Sequence, residues 1–136
     1  MFEDEELETT AVEMNKKYLY FMDKLKIAVD KKFKIISDSI FNIKEFDYDV
    51  VLALNIFHHF IKTEESHRNF ISLLGRLNSK LMFFQAHNTS EGQMKDAYRN
   101  YEHEDFVKVI IENSCFNSYK AIGKTKEGRL IYKIKL

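Results

Sequence analysis

The sequence predicts an α/β fold: a mainly parallel sheet with helices on both faces, closed by a C-terminal antiparallel hairpin. Three observations carry this expectation. Strand-like and helix-like segments alternate along the chain, in the order β-α-β-β-α-β-α-β-β. Residues 48–54 form a nearly unbroken apolar run, the pattern of a strand covered on both faces. The last two β-favouring runs flank the segment Gly123 to Gly128, as in a hairpin. Parallel neighbours joined by right-handed crossovers then place the helices above and below the sheet.

Residues 9–13 are short and β-favouring. Residues 16–29 read as a helix, with Asn15 as N-cap and Leu19, Met22, Leu25, Ile27 and Ala28 near helical spacing. Residues 33–36 form the second strand, ending at Ser37-Asp38-Ser39, and residues 48–54 the third. A second helix starts at Thr63-Glu64-Glu65 and carries the stripe Phe70, Ile71, Leu73, Leu74 and Leu77. Residues 81–85 are another buried strand, followed by a polar stretch over 87–102. Residues 104–113 are helical, with Phe106, Val107, Ile110 and Ile111 on one side, and residues 119–122 and 129–134 pair as the hairpin.

Composition narrows the function classes. The 136 residues hold 21 Lys+Arg against 21 Asp+Glu, so no bulk charge draws the chain to nucleic acid or anionic lipid. One cysteine supports neither a disulfide framework nor a Cys-rich zinc module. No apolar run reaches the roughly 18 to 20 residues of a membrane span. The acidic first ten residues are the reverse of a signal peptide's positive start, so a cytoplasmic protein is expected. The four glycines are never clustered and proline is absent, so the chain has no glycine-rich phosphate loop. The length suits a single domain.

Ligands in such sheets bind beyond the carboxyl ends of the strands. There the first strand delivers Glu13 and Met14; an acid in this place can accept from two ribose hydroxyls, or simply favour the start of the following helix. The second delivers Asp38 and Ser39, able to meet an adenine edge with Ile40 and Phe41 packing the ring, or to form a plain turn. The third delivers Asn55 and then His58 and His59. These histidines are candidate general bases near neutral pH, or loop residues packed on Phe57 and Phe60.

Together these strand ends resemble class I S-adenosylmethionine-dependent methyltransferases, entered at their second strand. Glu13 sits at the position of that family's ribose-binding acid and Asp38 at its adenine-contacting acid. Asp49-Val50-Val51-Leu52-Ala53-Leu54-Asn55 with His58-His59 is similar to its fourth-strand motif, and the final hairpin to its sixth and seventh strands. The resemblance implies a Rossmann-like fold, S-adenosylmethionine as cofactor, Glu13, Met14, Asp38, Ser39 and Asn55 as its contacts, and methyl transfer to an unidentified acceptor. Gln85, His87, Tyr98 and Arg99 fall where the family faces its acceptor; Arg99 can clamp a carboxylate or phosphate, or be a surface Arg among packing tyrosines.

Two departures follow. Residues 76–80 stand where the family has a Pro-Gly-Gly-type turn. The family's first strand and glycine-rich loop precede Glu13 by roughly 20 residues, but only twelve lie there and none is glycine. An N-terminally truncated domain over 1–136 is therefore expected: a fragment, a degenerate non-catalytic relative acting through association, or a chain completed by a partner. A lost central strand leaves unpaired edges, which favours a homo-oligomer or partner chain. The five histidines lack zinc-ligand spacing, so no metal is expected, and Cys115 reads as a core thiol.

Overall fold

Hydrogen bonding divides the strands between two sheets in the computed structural model, which describes residues 7–30, 32–44 and 46–136. The chain forms two compact units, Met1–Lys44 and Glu45–Leu136. The first contains β1 (Thr10–Val12), α1 (Lys16–Ala28) and β2 (Lys34–Ile36), a short parallel pair with its crossover helix. Asn15 caps α1 as the sequence predicts, its side chain accepting from the Lys17 N–H at 3.0 Å. No residue of α1 is buried: Leu19 and Met22 are half-buried, while Tyr18, Phe21 and Leu25 are more than half exposed.

The second unit holds β3 (Phe46–Ala53), α2 (Phe57–Phe60), α3 (Glu64–Arg76), β4 (Leu77–Gln85), α4 (His103–Glu112), β5 (Ser118–Lys124) and β6 (Leu130–Lys135). Its sheet runs β3-β4-β6-β5, parallel between β3 and β4 and antiparallel beyond. Register aligns Val51 with Met82 and Ile134, and Ala53 with Phe84 and Tyr132. Of these six, all but Val51 are buried. Phe57 of α2, Phe70 of α3 and Phe106 of α4 pack on this face, with ring centroids 5.6 Å (Phe57) and 5.1 Å (Phe106) from Phe84 and 4.8 Å between Phe57 and Phe70.

Two expectations are corrected. The apolar run of β3 is not covered on both faces: Val50 and Leu52, in register with the half-buried Leu81 and Phe83, are each 46% exposed. Apolar continuity alone does not reveal whether a covering layer exists. Finally, β4 begins at Leu77 rather than residue 81, because α3 runs straight into a strand whose first residues pair with Phe46 and Asp47. Long-range pairing overrides the polar Asn78-Ser79-Lys80 here.

Thr63 opens α3 with a reciprocal box: its hydroxyl accepts from the Ser66 N–H, and the Ser66 hydroxyl accepts from the Thr63 N–H. Thr63→Ala is expected to lower unfolding free energy by about 1 kcal/mol, read as a lower urea midpoint at unchanged m-value. At the opposite sheet edge β5 is exposed throughout, with a bulge between Ala121 and Gly123 and the lysines Lys120 and Lys124. Such features discourage strand addition. The turn to β6 closes through Gly128, whose φ of 86° lies where glycine is favoured. Gly128 N–H donates to Thr125 O at 3.0 Å, and Arg129 follows.

Candidate functional site

Parallel register in the first unit pairs Val12 with Ile36, so Glu13 and Asp38 leave the same end of the same sheet. Glu13 N–H continues the ladder to Ile36 O at 3.0 Å, and its Oε1 accepts from the Asn15 N–H at 2.7 Å. Asp38 Oδ1 accepts from the Ser39 N–H at 2.6 Å and from Asn42 Nδ2 at 2.8 Å. Ser39 caps the short 3-10 helix Ile40–Asn42 through its hydroxyl. Helix-start and turn roles therefore operate at both positions, while two carboxylates still sit at neighbouring strand ends. Met14 is 68% exposed.

In the second unit, β3 ends at Ala53 and the chain turns at Asn55, which adopts φ 57°. Asn is among the few side chains that tolerate this region. The turn leads into α2, whose four residues are too few to display a helical period in the sequence. Within it the two histidines differ. His58 is 3% exposed and His59 is exposed, with ring centroids 4.0 Å apart. Burial first, then the neighbouring His59, His87, Lys62 and Arg129, push the His58 pKa down to about 4. Burial, Lys62 and Arg129 lower that of His59 as well, so it is a neutral imidazole at neutral pH.

His87 follows β4 but is enclosed rather than presented, at 1% exposed. Asn100 Nδ2 donates to Thr89 O at 2.9 Å, so its Oδ1 accepts from His87 Nε2 at 2.9 Å. That fixes the proton on Nε2 and leaves Nδ1 as a buried acceptor with no partner among the described residues. Burial lowers the His87 pKa, opposed by the bond to Asn100. Gln85 is half-buried at the end of β4, in register with Ile131.

Tyr98 and Arg99 are held by backbone bonds to Lys62 O at 2.9 Å and Ile61 O at 3.0 Å. The Arg99 guanidinium lies 4.6 Å from the Tyr98 ring centroid, a cation–π contact. His67 adds a 2.8 Å hydrogen bond to the Tyr101 hydroxyl. The Tyr98–Arg99 stack lies beside the loop that leads from α2 into α3.

Two residues escaped the sequence reading. Arg129 donates from Nε and Nη2 to the two carboxylate oxygens of Glu91, at 2.8 and 2.7 Å, and from Nη1 to Asn55 Oδ1. The bonded positions lie 38 and 74 residues apart, so no local pattern signals them. Among the described residues no group of three or more His, Cys, Asp or Glu is placed to hold a metal. No helix there is long and apolar enough to cross a membrane.

No protein-family model matches the chain, and no curated protein sequence matches it. Solved structures do. The crystal structure of monomeric WbdD superposes with a TM-score of 0.71 at 15% identity, over 93% of this chain and 30% of that one. An S-adenosylmethionine-dependent methyltransferase from Clostridium acetobutylicum gives 0.69 at 11% identity, over 96% and 75%. Magnesium protoporphyrin IX methyltransferase from Synechocystis, with bound S-adenosylmethionine, gives 0.64 at 13% identity, over 94% and 59%. The chain spans from 30 to 75% of the length of these three. It has the Rossmann-like fold of class I S-adenosylmethionine-dependent methyltransferases.

Proposed function

We propose that this chain is an S-adenosylmethionine-dependent methyltransferase, or a fragment of one, acting on a small-molecule acceptor. The observation that carries the reading is chemical placement. In a fold shared with such enzymes, the strand ends bear Glu13 and Asp38 in one unit and Asn55 with an exposed, neutral His59 in the other. Neighbouring carboxylates at the end of a parallel pair suit ribose hydroxyls and an adenine amine, so the donor set fits the nucleoside part of the cofactor. Glu13, Met14, Asp38 and Ser39 are assigned to it, and Asn55 is assigned as a further contact.

When bound, S-adenosylmethionine supplies an activated methyl group. This chain's residues align the acceptor and take its proton, a proximity effect assisted by general base catalysis. His59 is the base of choice because His58 is enclosed. Arg99, stacked on Tyr98, and Gln85 are assigned to the acceptor side, where the guanidinium suits an anionic group; His87 supports that side from within the core. A cytoplasmic location suits the unpaired thiol of Cys115.

Calorimetry with S-adenosylhomocysteine tests the reading. Binding is expected for the native chain, with affinity reduced at least about tenfold in Glu13→Ala, about 1.4 kcal/mol. No heat at millimolar ligand removes the enzyme reading for this chain. A second reading, a non-catalytic module that associates through its sheet, is favoured by one feature. The outer edge of β3 is regular over eight residues and carries half-exposed Val50 and Leu52, unlike the bulged, lysine-bearing β5. A homodimer or partner strand added at β3 would complete that sheet. Light scattering that finds dimers, together with silent calorimetry, selects this second reading.

A further inference from the structure

Arg129 makes its three side-chain bonds at the meeting point of three segments: Asn55 after β3, Glu91 after β4, and the β5–β6 turn that carries Arg129 itself. The contact to Glu91 is a two-pronged fork, and both side chains are largely enclosed, at 17% and 18% exposure. Glu91 is itself over-determined. Its Oε1 also accepts from the Asn88 N–H at 2.9 Å and its Oε2 from Gln93 Nε2 at 2.6 Å. Against burial, which pushes it up, these bonds and the guanidinium hold the Glu91 pKa at about 2. The carboxylate is therefore ionised throughout the working pH range, and the fork persists.

The consequence falls on Asn55. Its backbone is held at φ 57°, and its Oδ1 is taken by Arg129 Nη1. The amide is thereby oriented: the oxygen is spent on the protein, and the Nδ2 donors make no hydrogen bond among the described residues. We propose that Glu91 and Arg129 are a positioning pair that turns Asn55 so that it offers a hydrogen-bond donor, not an acceptor, to the ligand at the carboxyl end of β3. This rests on the assignment of Asn55 as a cofactor contact. It adds the polarity of that contact and the two residues, distant in sequence, that set it.

Asn55→Asp separates this role from a merely structural one. The carboxylate tolerates the same backbone region and pairs with Arg129 at least as well, but it cannot donate. The expected result is an unchanged or raised thermal midpoint with affinity for S-adenosylhomocysteine reduced at least tenfold. Unchanged affinity in Asn55→Asp overturns the proposal. A ligand-free measurement stands beside it: urea unfolding of Asn55→Ala, Arg129→Gln and the double variant. Coupling of about tenfold in the folding equilibrium constant is expected, and additive effects overturn the positioning pair. A native chain that binds no S-adenosylhomocysteine while the cycle shows coupling strikes the methyltransferase reading and leaves the pair standing.

Discussion

Replacing Phe84 by Ala is expected to lower unfolding free energy by about 3 to 5 kcal/mol, a large part of a domain stability that is typically about 5 to 15 kcal/mol. Phe84 is fully buried at the centre of the second unit's sheet, in register with Ala53 and Tyr132. Its ring meets Phe57 at 5.6 Å, Phe106 at 5.1 Å and Tyr132 at 6.4 Å, so truncation strips one ring from three neighbours. Those neighbours come from α2, α4 and β6, and they cannot all collapse into one cavity. Urea denaturation followed by far-ultraviolet circular dichroism reads the effect. A loss below about 1 kcal/mol would mean that the site relaxes and that Phe84 is not the keystone of this face.

Acidification is expected to weaken the fold between about pH 6.5 and pH 4, by about 3 kcal/mol from His58 alone. Enclosure, followed by the field of His59, His87, Lys62 and Arg129, holds His58 near 4 when folded. The unfolded imidazole titrates near 6.5. Across that window the unfolded state binds a proton that the folded state refuses, so stability is full above the unfolded value and declines as pH falls towards the folded one. His59 and His87, both lowered chiefly by burial, act in the same direction. Glu91 contributes on the same side at lower pH, since its stabilisation is lost as pH falls from about 4.5 towards 2. Urea midpoints measured from pH 7.5 to pH 4 should fall steadily in the native chain. His58→Gln should flatten the slope below pH 6.5, and an identical slope would count against His58 as the group responsible.

Much of the fold was legible because it is written locally. The cap at Asn15, the start of α3 at Thr63, the stripe Phe70-Leu73-Leu74 and the hairpin around Gly128 depend on side chains a few residues apart. Single-sequence reasoning finds such features by period and by turn chemistry. The short α2 was not legible, since four residues cannot display a helical period. The first four residues of β4 were not legible either. Asn78, Ser79 and Lys80 look like loop, and they become strand through their alignment opposite β3, where Asn78 also donates to Asp47 at 3.1 Å.

The candidate site divides along the same line. Glu13, Asp38, Asn55 and His59 stand out as candidates because they follow apolar runs, and the end of a strand is visible from where the run stops. Which histidine is enclosed was not visible: His58 and His59 are adjacent and chemically identical, and only the packing around α2 buries one and exposes the other. Glu91 is one more acid in the polar stretch over 87–102, and Arg129 one more residue at the start of a hairpin strand.

By itself, then, the sequence determined the alternation of elements, the helix caps and the residue types at the strand ends, because each of these is settled by neighbours along the chain. The tertiary structure alone decided that Val50 and Leu52 stay half exposed, and that Arg129 reaches back to Glu91 and Asn55. Those outcomes turn on which distant segments lie side by side. Burial and a forked ion pair are properties of that juxtaposition, and no single stretch of residues encodes them.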